Sequence, residues 1–192
     1  MPKRINPKIN SNFNIEDTHL LDIYKKLGIP SSYPRERGLS PFYQAELNDL
    51  VVSDIDVAGR PFVLTKAASL AWQKLSKASE MDKVIIQPLS AFRSYLYQQG
   101  LIEGHLSKGR SIDDILENVA PPGYSEHHTG CAIDIMTPGC APLVEELEGT
   151  DAFKWMEKNA GDFGFVMSFD RNNKFGFVYE PWHWCFAESS SL

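Results

Sequence analysis

The sequence predicts an α+β domain with a mainly antiparallel central sheet flanked by helices. Three observations point there. Short β-prone runs and helix-period segments follow one another without a regular strand-helix-strand alternation, which argues against a parallel sheet. Two pairs of runs are joined by tight turns, as in hairpins. No break in composition divides the 192 residues, so residues 1–192 read as one domain. Apolar content of 43% with charged content of 23% is ordinary for a globular chain, and the length suffices for one well-buried core.

Residues 1–14 are polar and rich in Asn and Pro, and are expected to run extended along the surface. Leu20, Leu21, Ile23, Tyr24 and Leu27 recur at near-helical spacing until Gly28 and Pro30 stop the segment. A loop with several prolines and charges follows, to about Pro41. Leu50-Val51-Val52 and Phe62-Val63-Leu64, separated by Ala58-Gly59-Arg60, predict a hairpin. From Thr65 to Met81 the residues Ala68, Leu70, Ala71, Trp72, Leu75 and Ala78 return every three or four positions, the mark of a core-facing helix.

The unbroken Val-Ile-Ile run predicts a buried strand over Val84–Leu89. Ser94 to about His105 reads as a helix. Ser111–Asn118 reads as a shorter one, capped by Ser111 with Asp113 and Asp114 in its first turn and ended by Pro121-Pro122-Gly123. Cys131–Met136 is the next strand and Thr150–Ala160 the next helix. Phe163–Phe169 predicts a strand joined through Asp170–Lys174 to a hairpin partner at Phe175–Tyr179, and His183–Phe186 closes the sheet.

A net charge of -6 argues against a nucleic-acid partner, because phosphate binding depends on clustered Lys and Arg. A small or uncharged substrate fits better. The three cysteines lack CxxC spacing and are odd in number, which mildly favours a reducing compartment. Lys3, Arg4 and Lys8 are not followed by an apolar run of signal-peptide length, and nothing predicts a membrane span. The chain as written is expected to be cytoplasmic, with the periplasm or cell envelope as the alternative if a leader preceded it.

The chemistry concentrates in two short clusters. Ser125-Glu126-His127-His128-Thr129-Gly130-Cys131-Ala132-Ile133-Asp134 places a histidine and an aspartate where one cation can meet both. Glu180-Pro181-Trp182-His183 adds a second imidazole and a further carboxylate. Two neutral imidazoles and one carboxylate hold Zn²⁺ with positive charge left over, and a glutamate outside that set can accept a proton from water, the inventory of a zinc hydrolase.

In a strand Ala132 and Asp134 share one face, so Asp134 meets a cleft if Ile133 meets the core, and Gly130 lets the chain return His127 toward it. Pro181 restricts Glu180 to extended or polyproline backbone, in which residues 180 and 183 share a side about 9 Å apart at roughly 3.1 Å per residue. A lone histidine is more often structural than a ligand. Of the five histidines, two fall at ligand positions of these clusters, which turns the balance toward metal. His105 and His128 read as structural or surface residues, with His128 the first alternative ligand. Cys185, two residues past His183, is a second group behind the ligands, an adventitious ligand or a small buried apolar residue. A zinc site of three cysteines and one histidine has little support from the spacing.

The pattern Ser-x-His-x-x-Gly-x-Ala-x-Asp, met by Ser125, His127, Gly130, Ala132 and Asp134 and followed by Glu180-Pro181-Trp182-His183, resembles the VanY-type zinc D-alanyl-D-alanine carboxypeptidases. Those enzymes group with lysostaphin-like hydrolases and the hedgehog signalling domain. Ser90-Ala91-Phe92-Arg93-Ser94 with Gln98 is similar to the family's Ser-Gly-Tyr-Arg-Ser segment and its following glutamine. The likeness spans about residues 60–187. It implies that His127, Asp134 and His183 bind zinc, Glu180 is the general base, Arg93 stabilises the oxyanion, and Gln98 and Ser125 hold a peptidoglycan stem peptide. An arginine at the end of a buried strand suits an oxyanion on chemical grounds as well, although without the resemblance Arg93 reads equally as a structural ion pair.

The chain departs from the pattern at three places. His128 stands where glutamine is usual, Met167-Ser168-Phe169 replaces an Arg-Tyr-Pro-like segment, and Cys185 replaces a basic residue. These leave ligands and base intact and bear on substrate preference. The resemblance leaves open a D,D-dipeptidase, an L,D-carboxypeptidase or an endolysin-type endopeptidase. A reading of another class is a zinc-binding interaction domain without catalysis, against which the intact Glu180 and Arg93 weigh.

Overall fold

In the computed structural model of the chain, residues 18–173 and 177–187 are described, so the extended run expected over residues 1–14 lies outside them. Two apolar clusters organise these residues. The first helix, α1 (Thr18–Leu27), buries Leu20, Ile23, Tyr24 and Leu27 along one face, and Gly28 at φ +73° ends it. Within the expected loop beyond it, Pro34 falls in the first turn of a short helix, α2 (Tyr33–Glu36), where its missing N–H is harmless.

The predicted hairpin forms from β1 (Leu50–Ile55) and β2 (Pro61–Thr65), antiparallel, with Asp56 at its turn. Asp56 Oδ1 accepts from Ala58 N and Arg60 N, both at 2.9 Å, and Oδ2 accepts from Arg60 Nε at 2.7 Å. Thr65 caps α3 (Lys66–Met81) by accepting from Ala68 N, and Ala68, Trp72 and Leu75 enter the core while Leu70 stays outside. Ser94 and Ser111 cap α4 (Tyr95–Leu106) and α5 (Ile112–Leu116) in the same way. Helix α6 (Asp151–Asn159), capped by Thr150, packs beneath the sheet.

The main sheet is antiparallel, in the order β3 (Gln87–Ser90), β4 (Ala132–Met136), β6 (His183–Phe186) and β5 (Phe165–Met167). Three expectations are corrected here. The strand expected from Val84 begins only at Gln87: Lys83 at φ 60° and the Val84 N to Ser79 O bond of 2.8 Å close the end of α3, so the Val-Ile-Ile run is a connector that buries Ile86 and exposes Ile85. Strand β6 lies inside the sheet rather than at its margin, because β5 pairs with it. Phe177–Tyr179 do not form a strand beside β5, and Phe175 and Gly176 lie outside the described residues.

One cluster, built from Phe62, Trp72, Ile133, Phe153, Trp184 and their neighbours, joins the sheet to α3 and α6. The other joins α1, α4 and α5 through Leu20, Ile23, Ile102, Ile115 and Leu116. Both faces of β4 are covered, since Ala132, Ile133 and Ile135 are wholly buried. The candidate site lies where α4 meets the sheet. No helix among the described residues is long and apolar enough to cross a membrane.

Candidate active site

Asp134 sits at the centre of the sheet, its register partners being Ser90 on β3 and His183 on β6. That register is why two motifs 49 residues apart in sequence meet at one point. His183 Nδ1 stands 3.1 Å from Asp134 Oδ1, and His127 Nε2 stands 3.2 Å from Asp134 Oδ2. His127 arrives through a short 3₁₀ turn, Glu126–Thr129, that ends at Gly130 with φ +68°. A side chain at Gly130 would be strained by that φ and would place Cβ 2.8 Å from Leu50 Cδ2 and 3.3 Å from Thr65 N.

The second motif does not adopt polyproline backbone. His183 N donates to Glu180 O at 3.0 Å, closing a β-turn with Pro181 in its second position. Glu180 and His183 therefore stand closer than the 9 Å or so of an extended run. Trp184 Nε1 donates to Pro181 O at 3.1 Å, and Glu180 N to Phe169 O at 3.0 Å, which pins the turn.

His127, Asp134 and His183 offer ligand atoms within 4.8 Å of one another, and all three are buried. Tetrahedral zinc with bonds of about 2.0–2.1 Å holds its ligand atoms roughly 3.3 Å apart, close to the two separations found here. The hydrogen bonding fits a cation as well. His127 Nδ1 donates to Ala91 O at 2.7 Å, which leaves Nε2 without a proton, and that buried atom has no hydrogen-bond partner. A bare ring nitrogen facing a carboxylate oxygen is unfavourable unless a positive charge lies between them. Burial and the Arg93 charge lower the His127 pKa to about 4, so the ring is a neutral, ligand-competent imidazole at neutral pH.

Burial would raise the Asp134 carboxyl, but the two imidazoles and Arg93 outweigh it and hold the group far below the ordinary carboxylate range. His183 behaves in the opposite sense. Burial would lower it, yet the carboxylates of Asp134 and Glu126 raise it to about 10. Glu126 Oε2 lies 2.9 Å from His183 Nε2, leaving Nδ1 to face Asp134 and the cluster. Ser168 and Cys185 adjoin Glu126, and the Cys185 thiol donates to Phe186 O at 3.9 Å. Glu126 is a site residue that motif reading passed over, and its signal was its place inside the first cluster. Two of the three departures from the family pattern, those at Ser168 and Cys185, lie beside this one carboxylate.

His128 is not an alternative ligand. Its Nδ1 donates to Arg93 O at 2.6 Å, its Nε2 accepts from Gly123 N at 3.1 Å, and its ring packs edge-on against Tyr95. Burial lowers its pKa to about 3, so it is a neutral brace. His127 and His128 thus fasten alternate carbonyls, those of Ala91 and Arg93, and fix the segment carrying Arg93. The cysteines do not assemble a metal site: the metal-competent group found among the described residues is His127, Asp134 and His183.

Arg93 Nη2 lies 3.3 Å from Asp134 Oδ2, and Nη1 donates to Gln98 Oε1 at 3.4 Å. Gln98 is buried, and its amide N donates to Ala120 O at 2.8 Å, so it orients the guanidinium. Ser125 and Glu180 line the same cleft of about 510 Å³. The Glu180 carboxylate makes no hydrogen bond or ion pair with other described residues. Burial, with Asp134 and Glu126 nearby, raises its pKa to about 7.

Residues 62–189 match the VanY family, D-alanyl-D-alanine carboxypeptidase. The chain belongs to that family. It is 29% identical over 91% of its length to the YodJ protein of Bacillus subtilis (strain 168), of which it covers 68%. It is 30% identical to the bifunctional D-Ala-D-Ala dipeptidase and D-Ala-D-Ala carboxypeptidase VanXYC of Enterococcus gallinarum, with 68% of each chain covered. Among solved structures, the LdcB LD-carboxypeptidase superposes with a TM-score of 0.65 at 29% identity, covering 74% of this chain and 69% of LdcB. A mutant of the vancomycin-resistance D,D-pentapeptidase VanY in complex with Zn(II) gives a TM-score of 0.57 at 26% identity, covering 77% of this chain and 83% of that one. The chain is a carboxypeptidase of the metallopeptidase type, on the mixed helix and antiparallel-sheet fold that its residues predicted.

Proposed function

We propose that this chain is a zinc-dependent D-alanyl-D-alanine carboxypeptidase that removes the terminal D-alanine of peptidoglycan stem peptides. The observation that carries the reading is the bare, buried Nε2 of His127 beside Asp134 and His183, with the Glu180 carboxylate, unpaired among the described residues, on the same cleft. His127, Asp134 and His183 would hold the ion. Zn²⁺ bound there supplies a Lewis acid that polarises a carbonyl and acidifies water.

Glu180 takes a proton from the attacking water and returns it to the leaving amine, a task suited to a carboxylate whose pKa lies near neutrality. Arg93, steadied by Gln98 and by the carbonyl bond to His128, directs fixed donors at the negative charge that develops on the scissile carbonyl oxygen. Ser125, buried at the cleft wall, has a hydroxyl to offer the peptide backbone.

The likeness to LdcB, described as an LD-carboxypeptidase, favours an L,D bond as the second reading. Mass spectrometry after digestion of stem pentapeptide and tetrapeptide separates the two. Loss of one D-alanine from the pentapeptide supports the first, and trimming of the tetrapeptide alone supports the second. Glu180→Gln tests the mechanism: zinc stays bound while turnover falls by about a hundred- to ten-thousand-fold. Full activity in that variant overturns the assignment.

A further inference from the structure

The cleft continues well past the metal-competent cluster along α4, where Gln98, Leu101 and His105 line it at helical spacing. Gln98 braces Arg93 at the inner end. His105 lies seven residues further along the helix, roughly 10 Å at about 1.5 Å per residue. An extended peptide covers that distance in about three residues, at roughly 3.3–3.6 Å each. A carboxypeptidase releases a single residue, so only the amino side of its substrate can fill so long an arm.

Three arginines line the cleft. Arg93 faces Asp134 at 3.3 Å and Arg60 faces Asp56 at 2.7 Å, so each has a carboxylate partner. Arg110 has none among the described residues. Its Nη2 donates to the backbone oxygen of Asp114 at 2.7 Å, and its Nη1 stands 3.5 Å from His105 Nδ1. Neither the backbone oxygen nor the imidazole brings a negative charge, so they hold the guanidinium in place without compensating its own. In a chain of net charge -6, a half-buried, positioned and uncompensated arginine on the wall of a substrate cleft is an anion receptor.

We infer that Arg110, positioned by His105 and the Asp114 carbonyl, binds a free carboxylate carried by the substrate two or three residues to the amino side of the scissile bond. The inference rests on the proposed function for the direction of the peptide. It makes the outer end of the cleft a selector for stem peptides whose acidic group is free rather than amidated.

The test uses two synthetic peptides ending in D-Ala-D-Ala that differ only in a carboxylate or a carboxamide at that position. The wild-type protein is expected to prefer the carboxylate by roughly tenfold, expressed in KM rather than kcat, as fits the low end of a hydrogen bond between charged groups. Arg110→Gln brings the ratio close to one, and Arg110→Lys, which keeps the charge without the fork, retains part of it. Equal preference in the wild type, or a variant that weakens both peptides alike, overturns the subsite. Isothermal calorimetry with the same peptides reads the carboxylate dependence without turnover. If neither peptide is cleaved, the proposed function fails while the binding difference still decides the role of Arg110.

Discussion

At the inner end of the cleft, His127, Asp134 and His183 are 2%, 4% and 2% exposed, and neighbouring groups fix nearly every polar atom. At the outer end, His105 and Arg110 are half-buried, and Arg110 has no carboxylate partner among the described residues. The inner end stands on the sheet, where the register of β3, β4 and β6 fixes Ser90, Asp134 and His183 together. The outer end stands on the last turn of α4 and the loop before α5. Chemistry needs placement within a fraction of an ångström and so sits on paired strands. Selection among substrates needs only charge and reach, and a helix end with a loop provides both.

Changes at the inner end are expected to be all-or-none. Asp134→Ala removes the carboxylate between both imidazoles and abolishes metal binding and turnover together, measured as zinc per chain and rate on a D-Ala-D-Ala peptide. Zinc retained at full stoichiometry would place the site elsewhere. Next in size is Glu126→Gln, which leaves the three candidate ligands in place but weakens the anchor of His183 and is expected to reduce zinc affinity by about ten- to a hundred-fold in a chelator competition. Unchanged affinity would reduce Glu126 to a packing residue.

Smaller effects belong to the periphery. The roughly tenfold change expected for Arg110→Gln is specific to one charge on the substrate. Smallest is Asp56→Asn, which loosens the β1–β2 turn and costs about 1 kcal/mol of unfolding free energy in urea titration. Hydrogen bonds from Arg60 and Ala58 lower the Asp56 pKa even though burial opposes them. Its contribution is therefore present above the ordinary carboxyl range and lost as the pH falls through the lowered folded value. A deficit in Asp56→Asn that persists unchanged in acid would contradict that sign.

Much of the inner site was legible because its residues lie in two compact motifs whose chemistry is unambiguous when they are read together. Ser111 likewise marked the start of α5 in advance, and the starts expected for α3, α4 and α6 fall on Thr65, Ser94 and Thr150, which the structure shows to be caps. Other features depend on contacts between distant segments. Val84-Ile85-Ile86 has strand composition, yet the turn closing α3 claims its backbone. Pro181 suits a polyproline run and a β-turn equally, and the pairing of β6 inside the sheet decides for the turn. His128 and His127 are indistinguishable as neighbours in sequence. Only the carbonyls they face, those of Arg93 and Ala91, and the bare nitrogen left on His127 tell brace from candidate ligand.

The most direct test is metal analysis of the purified wild-type protein together with mass spectrometry of the products from a defined stem pentapeptide. One zinc per chain and the release of a single terminal D-alanine are expected. Calcium or no stoichiometric metal, or a pentapeptide left intact by the zinc-loaded protein, would contradict the zinc carboxypeptidase assigned to this cleft.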